Sequence, residues 1–70
     1  MQYMVVIEQG EDSYGVYVPD LPGCVAVGNT QEEALSLIQE AIVLHLEMLQ
    51  ENSLPIPQPH SVSEYVAIAE

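Results

Sequence analysis

Three observations in the sequence predict an α+β domain with the order β-β-β-α-β. Short runs of β-branched and aromatic residues alternate with turn residues over positions 3–28. An apolar pattern of helical period then continues without Gly or Pro from Gln31 to Glu51, and a second β-branched run returns at 63–68. Seventy residues without internal repeats make one domain, 1–70.

The first strand is predicted over Tyr3–Glu8 and the second over Tyr14–Val18, joined by the polar loop 9–13 as an antiparallel hairpin. In the first strand Tyr3, Val5 and Ile7 alternate with Met4 and Val6, so both faces are apolar and both need cover. One side is assigned to a helix and the other to a further layer, such as a second subunit. Pro19, Asp20, Leu21, Pro22 and Gly23 then interrupt the backbone, because each proline lacks an N–H donor and fixes φ. A third short strand follows over Cys24–Gly28.

The helix start is encoded locally. Thr30 is placed to cap the first turn while Glu33 reaches back to the Thr30 amide, a capping box, and Glu32 and Glu33 suit the positive end of the helix dipole. Ala34, Leu35, Ile38, Ala41, Ile42, Leu46 and Leu49 form the buried face. Leu37, Leu44 and Met48 widen it beyond one stripe, leaving surface either for a partner or for the returning chain. Asn52, Ser53 and Pro55 supply the stop.

Pro55, Pro57 and Pro59 favour an extended connector, with a role as a groove ligand as the sharper alternative. The fourth strand is expected over Ser63–Ile68, parallel to the first and third. A right-handed crossover then sets the helix on one face of the sheet and leaves the other open.

Charge narrows the functional classes. The chain has 11 Asp and Glu, no Lys and no Arg, for a formal net charge of -11. Without cationic side chains it has no means of displacing counterions from a phosphate backbone, so direct nucleic-acid binding is excluded. Anionic membranes and phosphorylated substrates are disfavoured on the same ground. A field of this sign steers basic partners inward, and it also confers plain solubility. No basic leader or apolar run of about 20 residues is present, so a cytoplasmic location is expected.

Size points to association. A domain this small buries only about 60% of its unfolded surface, and one cysteine with two separated histidines supplies neither a disulfide nor a structural metal. A homo-oligomer or a partner protein is the remaining support.

The run Val18, Pro19, Asp20, Leu21, Pro22, Gly23, Cys24, then Gly28, Asn29, Thr30, Gln31, Glu32, Glu33, Ala34, resembles the N-terminal domain of HicB-type antitoxins. Leu54, Pro55, Ile56 and Pro57 are similar to that family's exit from the helix, and the resemblance covers essentially the whole chain. It implies a partial ribonuclease-H-like β-β-β-α-β sheet and a partner of the HicA type, a small basic mRNA-cleaving toxin whose active face the antitoxin covers. Many members also carry a C-terminal DNA-binding domain. No such domain is read within these 70 residues, and operator binding is not carried over. A stand-alone oligomeric relative without a toxin is the alternative.

Composition and resemblance converge on an acidic plug for a cationic surface. Glu8, Glu11, Asp12 and Asp20 are expected on loops at strand ends as its charged face, with Leu21 presented beside Asp20. Tyr14 and Tyr17 serve as sheet packing or as interface anchors. No catalytic, metal or cofactor residues are assigned. A true ribonuclease-H metal site needs clustered carboxylates, whereas the first strand offers Val5 and Ile7. Cys24 is read as a small hydrophobe and His45 as a half-buried core or interface residue, with no spacing that pairs them.

Overall fold

A computed structural model describes residues 1–69. Its elements are β1 (Val6–Gln9), β2 (Tyr14–Tyr17), β3 (Val25–Gly28) and α1 (Gln31–Glu51). The strands form one antiparallel sheet in the order β1-β2-β3, with Ile7 opposite Val16 and Val16 opposite Ala26. Strand alternation sends Ile7, Val16 and Ala26 toward α1 and Val6, Tyr17 and Val25 to the other face.

The sheet has three strands, not four. The expected strand at Ser63–Ile68 is absent, and the described residues after 53 carry no regular secondary structure. Its β-branched composition supplies propensity, but a strand exists only where an edge pairs with it, and no edge of this sheet does so. The expected first strand is also shorter, since Tyr3, Met4 and Val5 precede the paired residues.

Two consecutive turns join β2 to β3. The Leu21 amide donates to the Val18 carbonyl and the Cys24 amide to the Leu21 carbonyl, so Pro19 and Pro22 each occupy the second position of a turn. Gly23 follows Pro22 with φ +84°, which a side chain resists, and the Val18 amide closes the loop onto the Cys24 carbonyl.

The core lies between sheet and helix. Val16, Val18, Leu21, Cys24, Ala34 and Ile38 are buried, with Tyr3, Val5, Ile7, Tyr14, Ala41, Ile42 and Leu46 packed around them. Gly28 lets the helix start touch the sheet, since a Cβ there would lie 2.6 Å from the Ala34 nitrogen.

At the helix start, the Glu33 amide donates to Thr30 Oγ1 at 3.0 Å. The Glu33 carboxylate accepts from the Asn29 amide at 2.8 Å, one residue before the amide expected. At the other end Ser53 takes φ +54°, with its amide on the Gln50 carbonyl and the Leu54 amide on the Leu49 carbonyl, which is a Schellman closure.

Candidate functional site: an acidic end and an apolar end

The register sorts the molecule into two ends. Gln9 pairs with Tyr14 and Tyr14 with Gly28, so the β1–β2 turn and the start of α1 lie at the same end of the sheet. Glu8, Glu11 and Asp12 are exposed there, and the exposed Glu32 and Glu33 of the first helical turn join them. The sequence assigns this pair only to the helix start, Glu33 to the capping box and both to the helix dipole. Its place in the acidic end follows from strand register, which the local pattern does not carry.

Tyr17 is 39% exposed on the open face, the same face as Glu8, whereas Tyr14 packs against the core. Thus Glu8, Glu11 and Asp12 are surface residues of the acidic end, whereas Tyr17, paired with Val6 and Val25, is a surface residue at the opposite end of the open face.

Asp20 and Leu21 are corrections to the expected surface. Leu21 is fully buried and Asp20 is 3% exposed, at the end of the sheet opposite the acidic turn. The two-turn loop folds Leu21 into the core. It aims Asp20 at the returning chain, where Ser61 Oγ donates to Oδ1 at 2.6 Å and the Ser61 and His60 amides each donate to Oδ2 at 3.0 Å. His60 Nε2 lies 3.2 Å from Oδ1. The Ser61 hydroxyl, then the Ser61 and His60 amides, hold the Asp20 carboxyl down to about 2. Asp20 is therefore a clasp for the segment after the helix. Tyr3 supports the same segment by donating its hydroxyl to the Pro57 carbonyl.

Beside the clasp end, an open groove of about 300 Å³ separates β3 from the second half of α1. Cys24, Val25, Ala41, Leu44, His45 and Met48 line it. Cys24 and His45 thus share a wall that their spacing did not predict. Burial pushes the Cys24 thiol up, the opposite of what activates a cysteine nucleophile. Among the described residues no three His, Cys, Asp or Glu side chains group to hold a metal ion. No described helix is long and apolar enough to cross a membrane.

Comparison with known proteins places these features in a family. Residues 3–70 match the family described as the HicB_like antitoxin of bacterial toxin-antitoxin system. A UPF0150 protein of Thermoplasma acidophilum is 44% identical over 87% of this chain and 90% of its own length. An uncharacterized 14.9 kDa protein of Haemophilus phage HP1 is 38% identical over 94% of this chain, and Antitoxin HicB 2 of Photorhabdus laumondii is 36% identical over 91%. The chain spans about half the length of these last two, at 50% and 46%. A solved structure titled HicA3 and HicB3 toxin-antitoxin complex superposes with a TM-score of 0.68 at 29% identity, covering 83% of this chain and 72% of that one. The family is one of antitoxins and not of enzymes, and from residue 3 onward this chain belongs to it: it is a HicB-like antitoxin-family protein matching the N-terminal portion of the longer HicB members.

Proposed function

We propose that this domain neutralises a small basic mRNA-cleaving toxin of the HicA type by covering its cationic surface, in the cytoplasm where such a toxin acts. The observation that carries this reading is the end formed by Glu8, Glu11, Asp12 and Glu32, exposed carboxylates in a chain that has no Lys or Arg to neutralise them. A toxin that grips RNA presents the opposite sign, and complementary fields speed docking and set its orientation. Tyr17, exposed on the open face at the far end of β2 from these carboxylates, supplies an aromatic anchor for a partner that extends along that face. Asp20 and Leu21 contribute indirectly, by holding the scaffold.

Self-association belongs to the same reading. Val25 and Val27 are 63% and 64% exposed on the open face, and Leu44 and Met48 are exposed on the helix. This is more apolar surface than a domain of 70 residues keeps in water without use. The fourth strand of a partial ribonuclease-H-like sheet would then form on association. A stand-alone oligomeric role without a toxin is the alternative reading.

Titrating a HicA-type toxin with this chain, read as loss of RNA cleavage, tests the proposal. Stoichiometric suppression by the native chain, weakened at least ten-fold by E8Q/E11Q/D12N at low salt, supports it. Undiminished cleavage at excess chain transfers the weight to the stand-alone role.

A further inference from the structure

The segment after the Asp20 clasp and the free edge of β3 are complementary, and they lie on opposite sides of the same molecule. We propose that residues 62–69 of one copy add as a strand along β3 of a second copy, with Val66 and Ile68 seated in the groove between β3 and α1. The inference rests on the self-association proposed above and assigns its surfaces.

The donor is a strand sequence without a sheet. Val62, Tyr65, Val66 and Ile68 are 82%, 101%, 77% and 74% exposed. Among the described residues, no backbone hydrogen bond ties 62–69 to the rest of the chain. The described residues extend 50 Å along their long axis, longer than the about 32 Å of α1.

The acceptor is an edge without protection. β3 pairs with β2 on one side only, and Val25–Gly28 offers no charge, proline or bulge to discourage a further strand. A strand laid there directs alternate side chains to opposite faces. Val66 and Ile68 then enter the groove beside Leu44 and Met48, while Tyr65 extends the open-face row of Val6, Tyr17 and Val25. Backbone pairing supplies affinity and the groove supplies register, the mode of strand addition used in peptide recognition.

Charge and geometry select a second copy as the occupant. The groove lining holds no carboxylate, so a basic partner finds nothing there to pair with. Two chains of charge -11 approach each other at least cost where charge is thinnest, and the described part of the donor segment carries only Glu64. The chain's own segment leaves on the other side, where Ser61, Val62 and Ser63 flank Gln2, Tyr3 and Met4 ahead of β1, the edge opposite β3. Reciprocal addition doubles the buried area, toward the about 1,600 Å² of a standard stable interface.

The test combines mass and cross-linking on the whole chain. Light scattering across a concentration series is expected to show at least twice the 7.7 kDa of one chain, and V66E/I68E to raise the dissociation constant at least ten-fold with an unchanged circular dichroism spectrum. In a Cys24→Ala background, mixing Tyr65→Cys chains with Val25→Cys chains under oxidation is expected to yield the mixed disulfide dimer. A monomer mass for the native chain at every concentration overturns self-association and this inference with it. An oligomer that V66E/I68E leaves intact, with no mixed dimer, overturns strand addition alone.

Discussion

Ser61 holds Asp20 by both its hydroxyl and its backbone amide, at 2.6 and 3.0 Å, across 41 residues of sequence. This contact fastens the segment after the helix to the turn between β2 and β3. A carboxylate turned inward in a chain with no Lys or Arg finds its partners in hydroxyl and amide donors.

Acid should release the clasp. Asp20 in the folded chain stays ionised down to about 2, whereas the free side chain takes up its proton near 3.8. Between those values the unfolded chain binds more protons, so the Asp20 contribution is complete above about pH 4 and fades as pH falls through 2. Asp20→Asn is expected to unfold at lower urea than the native chain at pH 7. The gap between the two midpoints should close as pH approaches 2.

Gly28 is expected to be the least replaceable glycine. In Gly28→Ala the new methyl meets backbone atoms of Glu33 and Ala34 at 2.6–3.1 Å, so β3 and α1 must part, at a cost of about 3 kcal/mol. Gly15→Ala, whose nearest neighbour is 4.0 Å away, should change stability by less than about 0.5 kcal/mol. Urea denaturation of both variants makes the comparison.

Ser53→Gly should stabilise the fold. Ser53 closes the helix at φ +54°, a conformation that disfavours any side chain, and its own is exposed. Removing it is expected to raise stability by about 0.5–1 kcal/mol, read as an upward shift in the urea midpoint.

Binding of a basic toxin should depend on salt mainly through the rate of association. Between about 50 and 500 mM NaCl, stopped-flow mixing is expected to show association slowed about ten- to a hundred-fold, with dissociation changed far less. Equal salt dependence of both rates would place the contact away from the acidic end.

Local features were legible in the sequence. Thr30 and Glu33 lie within a few residues of the amides they serve, so the helix start was readable, and the Gly-free, Pro-free apolar period marked its length through Glu51. The β1–β2 hairpin was readable for the same reason. The orientation of Asp20 was not, because its partners are 40 and 41 residues away and nothing near Pro19 or Pro22 announces them. The Ser63–Ile68 run misled because strand composition specifies a willingness to pair and not the edge that answers it. Glu32 and Glu33 joined the acidic end only through the pairing of Tyr14 with Gly28.

The helix is fastened unevenly. Its buried residues, Ala34 and Ile38, both lie in the first half, next to the Gly28 contact and the Thr30 cap. The second half carries Val43 at 52% exposure, and Leu44 and Met48 at 65% and 45% along an open groove. Amide hydrogens should therefore exchange in a gradient along α1, slowly around Ile38 and sooner toward Met48, as the last turns open without unfolding the sheet.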